Sequence, residues 1–300
     1  MAVFIYRRQN SDSARALSEA LRARRVREVA AREGRRQIRA GDHVICWGER
    51  LAPRDGVRIL NGAPLATKFE DATRLRQENV PTIEVVRMAP AVVDRTTGPR
   101  NRLNQVLGTL RGAVNTRALQ PLTEVEPDRL VETAYNGYRT ALQAFRAVQN
   151  NPGVAQVWLA RLNAHIGGND LMRPPTRPDF FVKKEDLVQE FRVHSFLGRS
   201  IRAGIKRQSG PVPPNQPTAT WVRSYDNGWR MHYGEGIRQM HRDIAHRACR
   251  VLGLDFGAVD VGQRADGSLV VLEVNRAPGL ADGTVEAYAT AIHNWMENGR

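Results

Sequence analysis

The sequence predicts a mixed α/β and α+β protein, with an α/β unit over residues 1–90 and a strand-rich α+β region within residues 91–300. Three observations predict it. Strand and helix patterns alternate from the N-terminus to about residue 90; strand-length apolar runs return from residue 157; and the last two runs are joined by Asp266-Gly267, a strong hairpin signal.

In chain order, the apolar run Val3–Tyr6 reads as a first strand, and the polar cluster Ser11, Asp12, Ser13 caps a helix carrying Ala14, Leu17 and Leu21. "HVICW", residues 43 to 47, is the next buried strand. Thr67 followed three residues later by Glu70 makes a capping box for a helix over "KFEDATRLRQEN", and "PTIEVVRM" returns as a strand. No G-x-G-x-x-G is present, so nothing supports a dinucleotide fingerprint. Residues 91 to 120 read as loop, and "PDRLVETAYNGYRTALQAFRAV" as a helix. Strands resume in "VWLARL", "DFFVKK" and "EFRVHSF", with a Gly-Gly-Asn turn in "HIGGND" able to offer backbone N–H groups to a phosphate and "QSGPVPPNQPTA" as a surface loop. "GIRQMHRDIAHRACRVLGLDFG" is an amphipathic helix expected to turn Ile237, Met240, Ile244, Ala248 and Val251 inward, with Gly253 as its stop. The "HRD" inside it lacks a preceding kinase Gly-rich loop and is discarded as a catalytic loop.

The closing hairpin carries the chemistry. With Asp266 and Gly267 as the turn, Ala265 pairs with Ser268, and counting outward sets Asp260 opposite Glu273 and Val261 opposite Leu272. Asp260, Glu273 and Asn275 then share one face, and Val259, Val261, Leu272 and Val274 the other. Opposed carboxylates repel unless something neutralises them, and two carboxylates with an amide suit Mg²⁺, a hard cation that keeps waters and shares substrate phosphates. A solvated hairpin with its acids apart is the alternative.

At 300 residues with 41% hydrophobic composition the chain can bury a sizeable core. No apolar run reaches a membrane span, and "MAVFIYRRQN" lacks a signal-peptide layout, so a cytoplasmic protein is expected, with no membrane partner. Cys46 and Cys249 lack metal-type spacing and are expected to be reduced thiols. The formal net charge of +14 attracts polyanions. Much of it lies in "RARRVREVAAREGRRQIR", residues 22 to 39, which reads as a solvated basic helix face rather than a dedicated nucleic-acid site, although an anionic macromolecule, nucleic acid included, stays open as a partner. His194 reads as a packed or hydrogen-bonded histidine rather than a general base.

The ordered series "EFRVHSF", basic "IKR", a helix ending "LGLDFGAVDV" and then "VLEVNRAPGL" resembles the ATP-grasp superfamily, and within it the RimK-type carboxylate–amine ligases and their phage-borne relatives. The resemblance covers about residues 157 to 282 and implies ATP-grasp architecture with an N-terminal pre-grasp α/β domain, ATP lying between two α+β subdomains. It implies Asp260, Glu273 and Asn275 as ligands of Mg²⁺, or of Mn²⁺ in its place, with Arg161 replacing the family's usual Lys on the α/β-phosphates. It further implies Gly167 and Gly168 in the phosphate-covering loop, Phe181 and Val182 as the hinge against adenine, Glu190 as the ribose contact and Lys206 facing the phosphates. Arg192 would meet an anionic substrate or intermediate, and Arg276 with Gly279 would lie beside the acyl-acceptor region, giving Arg192 and Arg276 as the catalytic pair. The implied reaction is ADP-forming: ATP activates a carboxylate as an acyl phosphate, which an amine from an amino acid, peptide or polyamine attacks. Small carboxylate and amine substrates, a ligase acting on a macromolecule-borne group, and an inactive nucleic-acid-binding relative all stay open, as does the oligomeric state. The retained acid pair favours the enzyme.

Overall fold

A computed structural model describes residues 2–7, 11–27, 38–86, 158–163, 179–211, 222–281 and 283–298. The helix expected in "PDRLVETAYNGYRTALQAFRAV", the "HIGGND" turn with Gly167 and Gly168, and most of the Pro-rich loop lie outside these residues. The chain divides into two compact units, one formed by Met1–Ile83 with Asp186–Arg300 and the other by Glu84–Glu185.

In the first unit, β1 (Val3–Arg7), β2 (Arg24–Arg27), β3 (His43–Cys46) and β4 (Arg58–Leu60) form a parallel sheet in the order β2-β1-β3-β4. Helix α1 (Asp12–Ala20) follows β1, and its expected cap is present: Ser11 Oγ accepts from Ala14 N at 3.3 Å. Strand β2 corrects the helical reading of residues 22–39 over Arg24–Arg27, and residues 28–37 of that stretch lie outside the described residues. Val26 is buried where β2 pairs with β1 at the sheet edge, while its neighbours Arg24 and Arg25 are exposed, so an edge strand and not a helical stripe carries these arginines. Helix α2 (Lys68–Gln77) begins in the expected capping box, with Glu70 N donating to Thr67 Oγ1 and Thr67 N donating to Glu70 Oε2.

The second sheet of this unit is antiparallel, in the order β10-β9-β8-β11-β12, built from β8 (Leu187–Phe196), β9 (Arg199–Gln208), β10 (Trp229–Tyr233), β11 (Phe256–Arg264) and β12 (Leu269–Asn275). Between β10 and β11 runs α3 (Gln239–Val251), and α4 (Thr284–Asn298) ends the described chain. One face of the sheet carries Phe191, Val193, Val259, Val261, Val271 and Val274, packed with Ala245, Ala248, Cys249 and Leu252 of the α3 segment and with Leu75 of α2. The α3 segment turns Ile237, Ile244, Ala248 and Val251 onto this core as expected, but Met240 is exposed, and His241 and Ala245 are buried with them. His241 is held inward because its ring accepts Arg238 N through Nδ1 at 2.9 Å and lies on Phe191 at 4.0 Å between ring centroids. Gly253 stops the helix with φ +68°, as the sequence implied.

A second core joins the two sheets. Trp47 of the parallel sheet's end stacks on Phe256 of β11 at 5.4 Å and meets Tyr288 of α4 edge-on at 5.6 Å. Asn61 pins the junction: its Oδ1 accepts Asp255 N and Phe256 N, and its Nδ2 donates to Phe256 O.

The closing hairpin forms, with a different turn. Arg264 N donates to Ser268 O and Gly267 N to Arg264 O, so three residues, Ala265, Asp266 and Gly267, make the loop, with Gly267 at φ +82°. Val261 therefore opposes Val271, not Leu272. An irregularity between Asp260 and Val261 then absorbs one residue of β12, after which Asp260 opposes Glu273 as expected. Leu272 is only half-buried, and Val271 takes the core position assigned to it.

The second unit contains an antiparallel sheet in the order β5-β7-β6, from β5 (Val85–Val86), β6 (Trp158–Arg161) and β7 (Phe180–Lys183). "PTIEVVRM" is thus not one strand: Thr82 and Ile83 bridge to Val271 in the first unit, and only Val85–Val86 pairs with β7.

Candidate active site

Directly opposed residues of an antiparallel sheet share a face, so the register lays out the site in rows across the five strands. One row runs Glu273, Asp260, Arg192, Gly204, Tyr233 from β12 to β10. On one side of it lies a row with Asn275, Ala258, His194 and Arg202. On the other, Gly262 opposes Glu190, and Lys206 opposes Met231. The valine face beneath is the core, so Asp260, Glu273, Asn275, Arg192, Glu190 and Lys206 come together on the polar face.

The charges on this face are paired. Arg192 donates from Nε to Asp260 Oδ1 at 2.6 Å and from a terminal nitrogen to Asp260 Oδ2 at 2.7 Å, a two-pronged contact that fixes both groups. The Asp260 charge beside it raises the Arg192 pKa, keeping the guanidinium protonated. Lys68, the first residue of α2, places Nζ 2.8 Å from Glu273 Oε1. Lys206 Nζ donates to Glu190 Oε2 at 2.8 Å, and Arg223 Nε stands 3.8 Å from the other oxygen of Glu190. The opposed acids are therefore neutralised in part by the chain's own cations. Asn275 follows on the same face, and its side-chain amide makes no hydrogen bond with a described residue.

Arg276, just past β12, turns onto α2, where both terminal nitrogens donate to Asp71, one of them at 2.6 Å. Burial raises the Asp71 carboxyl pKa, and Arg276 draws it back down. His194 is fully buried against Tyr288, with Nδ1 3.3 Å from the phenol oxygen, and burial followed by the Arg192 charge lowers its pKa to about 3. It is a neutral core histidine, in keeping with the sequence reading.

Arg161 and Val182 lie in the second unit, Arg161 half-buried at the end of β6 and Val182 buried in the middle strand, whose neighbour Phe181 opposes Val86 and Ala160. Sequence reasoning missed Lys68, Asp71 and Arg223. The capping box located the first turn of α2, but only the tertiary fold shows that Lys68 and Asp71, three apart on one helical face, meet the end of β12.

The donors fit a divalent cation by their chemistry: two carboxylates and an amide on one face are oxygen ligands of the kind Mg²⁺ takes while sharing substrate phosphates. Among the described residues no group of three or more His, Cys, Asp and Glu could hold a metal. No helix among the described residues is long and apolar enough to cross a membrane.

No family model matches the sequence, and no curated protein matches it. Solved structures do match the fold. The ATP-grasp ligase PsnB complexed with a phosphomimetic variant of minimal precursor, Mg and ADP superposes with TM-score 0.51 at 12% identity, over 97% of this chain and 99% of that chain. The D-cycloserine synthetase DcsG gives TM-score 0.50 at 14% identity over 99% of this chain and 100% of that one. The D-alanine–D-alanine ligase of Bacillus anthracis gives 0.52 at 11% identity over 98% and 92%. The chain has the ATP-grasp fold.

Proposed function

We propose that this protein is an ATP-dependent carboxylate–amine ligase that activates a carboxylate as an acyl phosphate and passes it to an amine, releasing ADP and phosphate. The observation that carries the reading is the opposition of Asp260 and Glu273, with Asn275 beyond, on the polar face of a sheet with this fold. PsnB, of the same fold, binds Mg and ADP, which supports Mg²⁺ and ATP here. Asp260, Glu273 and Asn275 would hold the cation, which when bound neutralises charge on the phosphates.

The chain's own residues supply the rest. Arg192, locked on Asp260, presents a guanidinium of fixed direction to an anionic substrate or to charge developing on the transferred group. Lys206, held by Glu190, adds a second cation one row away that faces the phosphates. Arg276, held by Asp71, fixes the segment leading into Gly279 beside the acyl acceptor. His194, buried and neutral, takes no part in proton transfer. Arg161, Phe181, Val182, Gly167 and Gly168 would belong to the nucleotide cleft. The reading follows the RimK-type pattern of the sequence motifs, with amino acids, peptides and polyamines as the amines to test.

ADP release against a panel of carboxylates and amines, with hydroxylamine trapping of the activated acid as a hydroxamate, tests the reaction. Glu273→Gln is expected to cut turnover at least about a hundredfold, the scale of losing an electrostatic catalytic group. Undiminished ADP release by a folded Glu273→Gln protein would remove the metal role, and stoichiometric AMP would remove the acyl-phosphate chemistry.

A further inference from the structure

Helix α2 grips the end of β12 through two ion pairs of opposite sense. Lys68 gives a cation to Glu273, and one turn later Asp71 takes the guanidinium of Arg276. The second pair is the fixed one, two-pronged and buried, with side chains only 8% and 13% exposed. The first is wetter, at 24% and 20%, and joins the flexible four-carbon stem of a lysine to a carboxylate. The Arg276 pair therefore anchors the helix, and the Lys68 contact is the more exposed of the two. With Arg192 on Asp260, each acid of the opposed pair has a resident cation, and the four groups sum to no formal charge.

We propose that Lys68 is an exchanging counter-ion of this site: it neutralises Glu273 while the site holds no nucleotide and turns to the polyphosphate when a metal–nucleotide complex takes the acid pair. The proposal rests on reading that pair as the metal site. Its physical content is a change of partner. A divalent ion arriving alone must compete with an ammonium for Glu273, and that competition weakens its binding. A metal that arrives with a polyphosphate brings several negative charges, so the displaced ammonium finds an anion within its own reach. Lys68 thus opposes the bare metal and favours the loaded nucleotide, and the site fills with both together.

The opposite signs make the test sharp. Binding of Mn²⁺ alone, read from the free-ion magnetic resonance signal, and binding of Mg²⁺ with AMPPNP, read by titration calorimetry, are measured for wild type, Lys68→Met, Lys68→Arg and Glu273→Gln, with folding checked by thermal melting. Lys68→Met is expected to bind Mn²⁺ alone about threefold to tenfold more tightly and Mg·AMPPNP about tenfold more weakly, as fits removing one unit charge a few ångströms away in a partly wetted site. Lys68→Arg should keep the wild-type order of the two affinities. If Glu273→Gln loses both affinities but Lys68→Met moves neither, or moves both in one direction, the exchange is wrong and the metal site stands. If Glu273→Gln binds both as wild type does, the metal reading itself falls, and the exchange with it.

Discussion

Removing the carboxylate of Asp71 should cost far more than an ordinary ion pair contributes. Asp71 is buried and Arg276 largely so, and the Nε of Arg276 already has no hydrogen-bond partner. Asp71→Asn would leave a buried guanidinium without its anion, a loss of about 3–5 kcal/mol when one partner of a buried pair is deleted. Burial, with the Glu70 charge adding to it, raises the Asp71 pKa despite the guanidinium beside it, so the intact pair spends much of its attraction on desolvation. Replacing both members should therefore recover most of the loss: Asp71→Leu with Arg276→Met is expected within about 1–2 kcal/mol of wild type. At about 2–4 °C per kcal/mol, the single variant should melt roughly 6–20 °C lower. Urea and thermal unfolding of wild type, both single variants and the double variant complete the cycle. An Asp71→Asn protein within about 0.5 kcal/mol of wild type, the scale of a surface change, would refute the reasoning, as would a double variant no more stable than the single one.

Two further outcomes follow from buried groups of the same sheet. His194 is neutral when folded, with a pKa of about 3 against an ordinary 6.5, so the unfolded chain binds the extra proton; its stabilising effect is complete above pH 6.5 and is lost as pH falls toward 3, at up to about 1.4 kcal/mol per pH unit. Urea midpoints between pH 7.5 and 5 should show that slope, and a folded His194→Gln protein with the same slope as wild type would show that His194 is not its source. Gly204 has no room for a side chain: a Cβ there would meet His232 O at 2.6 Å and the Tyr233 Cα at 2.9 Å, both backbone atoms. Gly204→Ala should cost about 1–3 kcal/mol and speed amide exchange along β10; unchanged exchange at Trp229–Tyr233 would count against the steric argument.

The sequence made the site's polar face legible because alternation within a strand depends on local chemistry alone. Asp260, Glu273 and Asn275 could be placed together from one turn signal, and Arg192, Glu190 and Lys206 share their face. What stayed hidden depends on long-range docking. Nothing near Lys68 or Asp71 says that α2 packs on β12 instead of on the parallel sheet that precedes it. The arginines of Arg24–Arg27 look helical because Arg tolerates either conformation, and burial of Val26 beside β1 decides for the strand. On α3, Met240 stays outside while His241 turns in, its ring satisfied on the backbone of Arg238, which no hydrophobic count anticipates. β10 and α4 carry no punctuation comparable to Asp266-Gly267 and went unread.

The register of the hairpin shows why the acid pair belongs to the working face. Counting from a two-residue turn gives Asp260 opposite Glu273, but the actual loop has three residues, and near it the strands run one step differently, with Val261 opposite Val271 and Gly262 opposite Val270. Had that register continued, Glu273 would have faced Val259, which is wholly buried in the core with Val261 and Val274. A carboxylate there would lose its hydration with no cation to meet it, at a cost of several kcal/mol. The irregularity at Asp260 and Val261 absorbs Leu272, reverses the alternation of β12, and returns Glu273 to the polar side opposite Asp260 while Val274 keeps its place below. Across the hairpin, that single extra residue makes the difference between a buried, unpaired acid and an oxygen site bounded by Arg192 and Lys68.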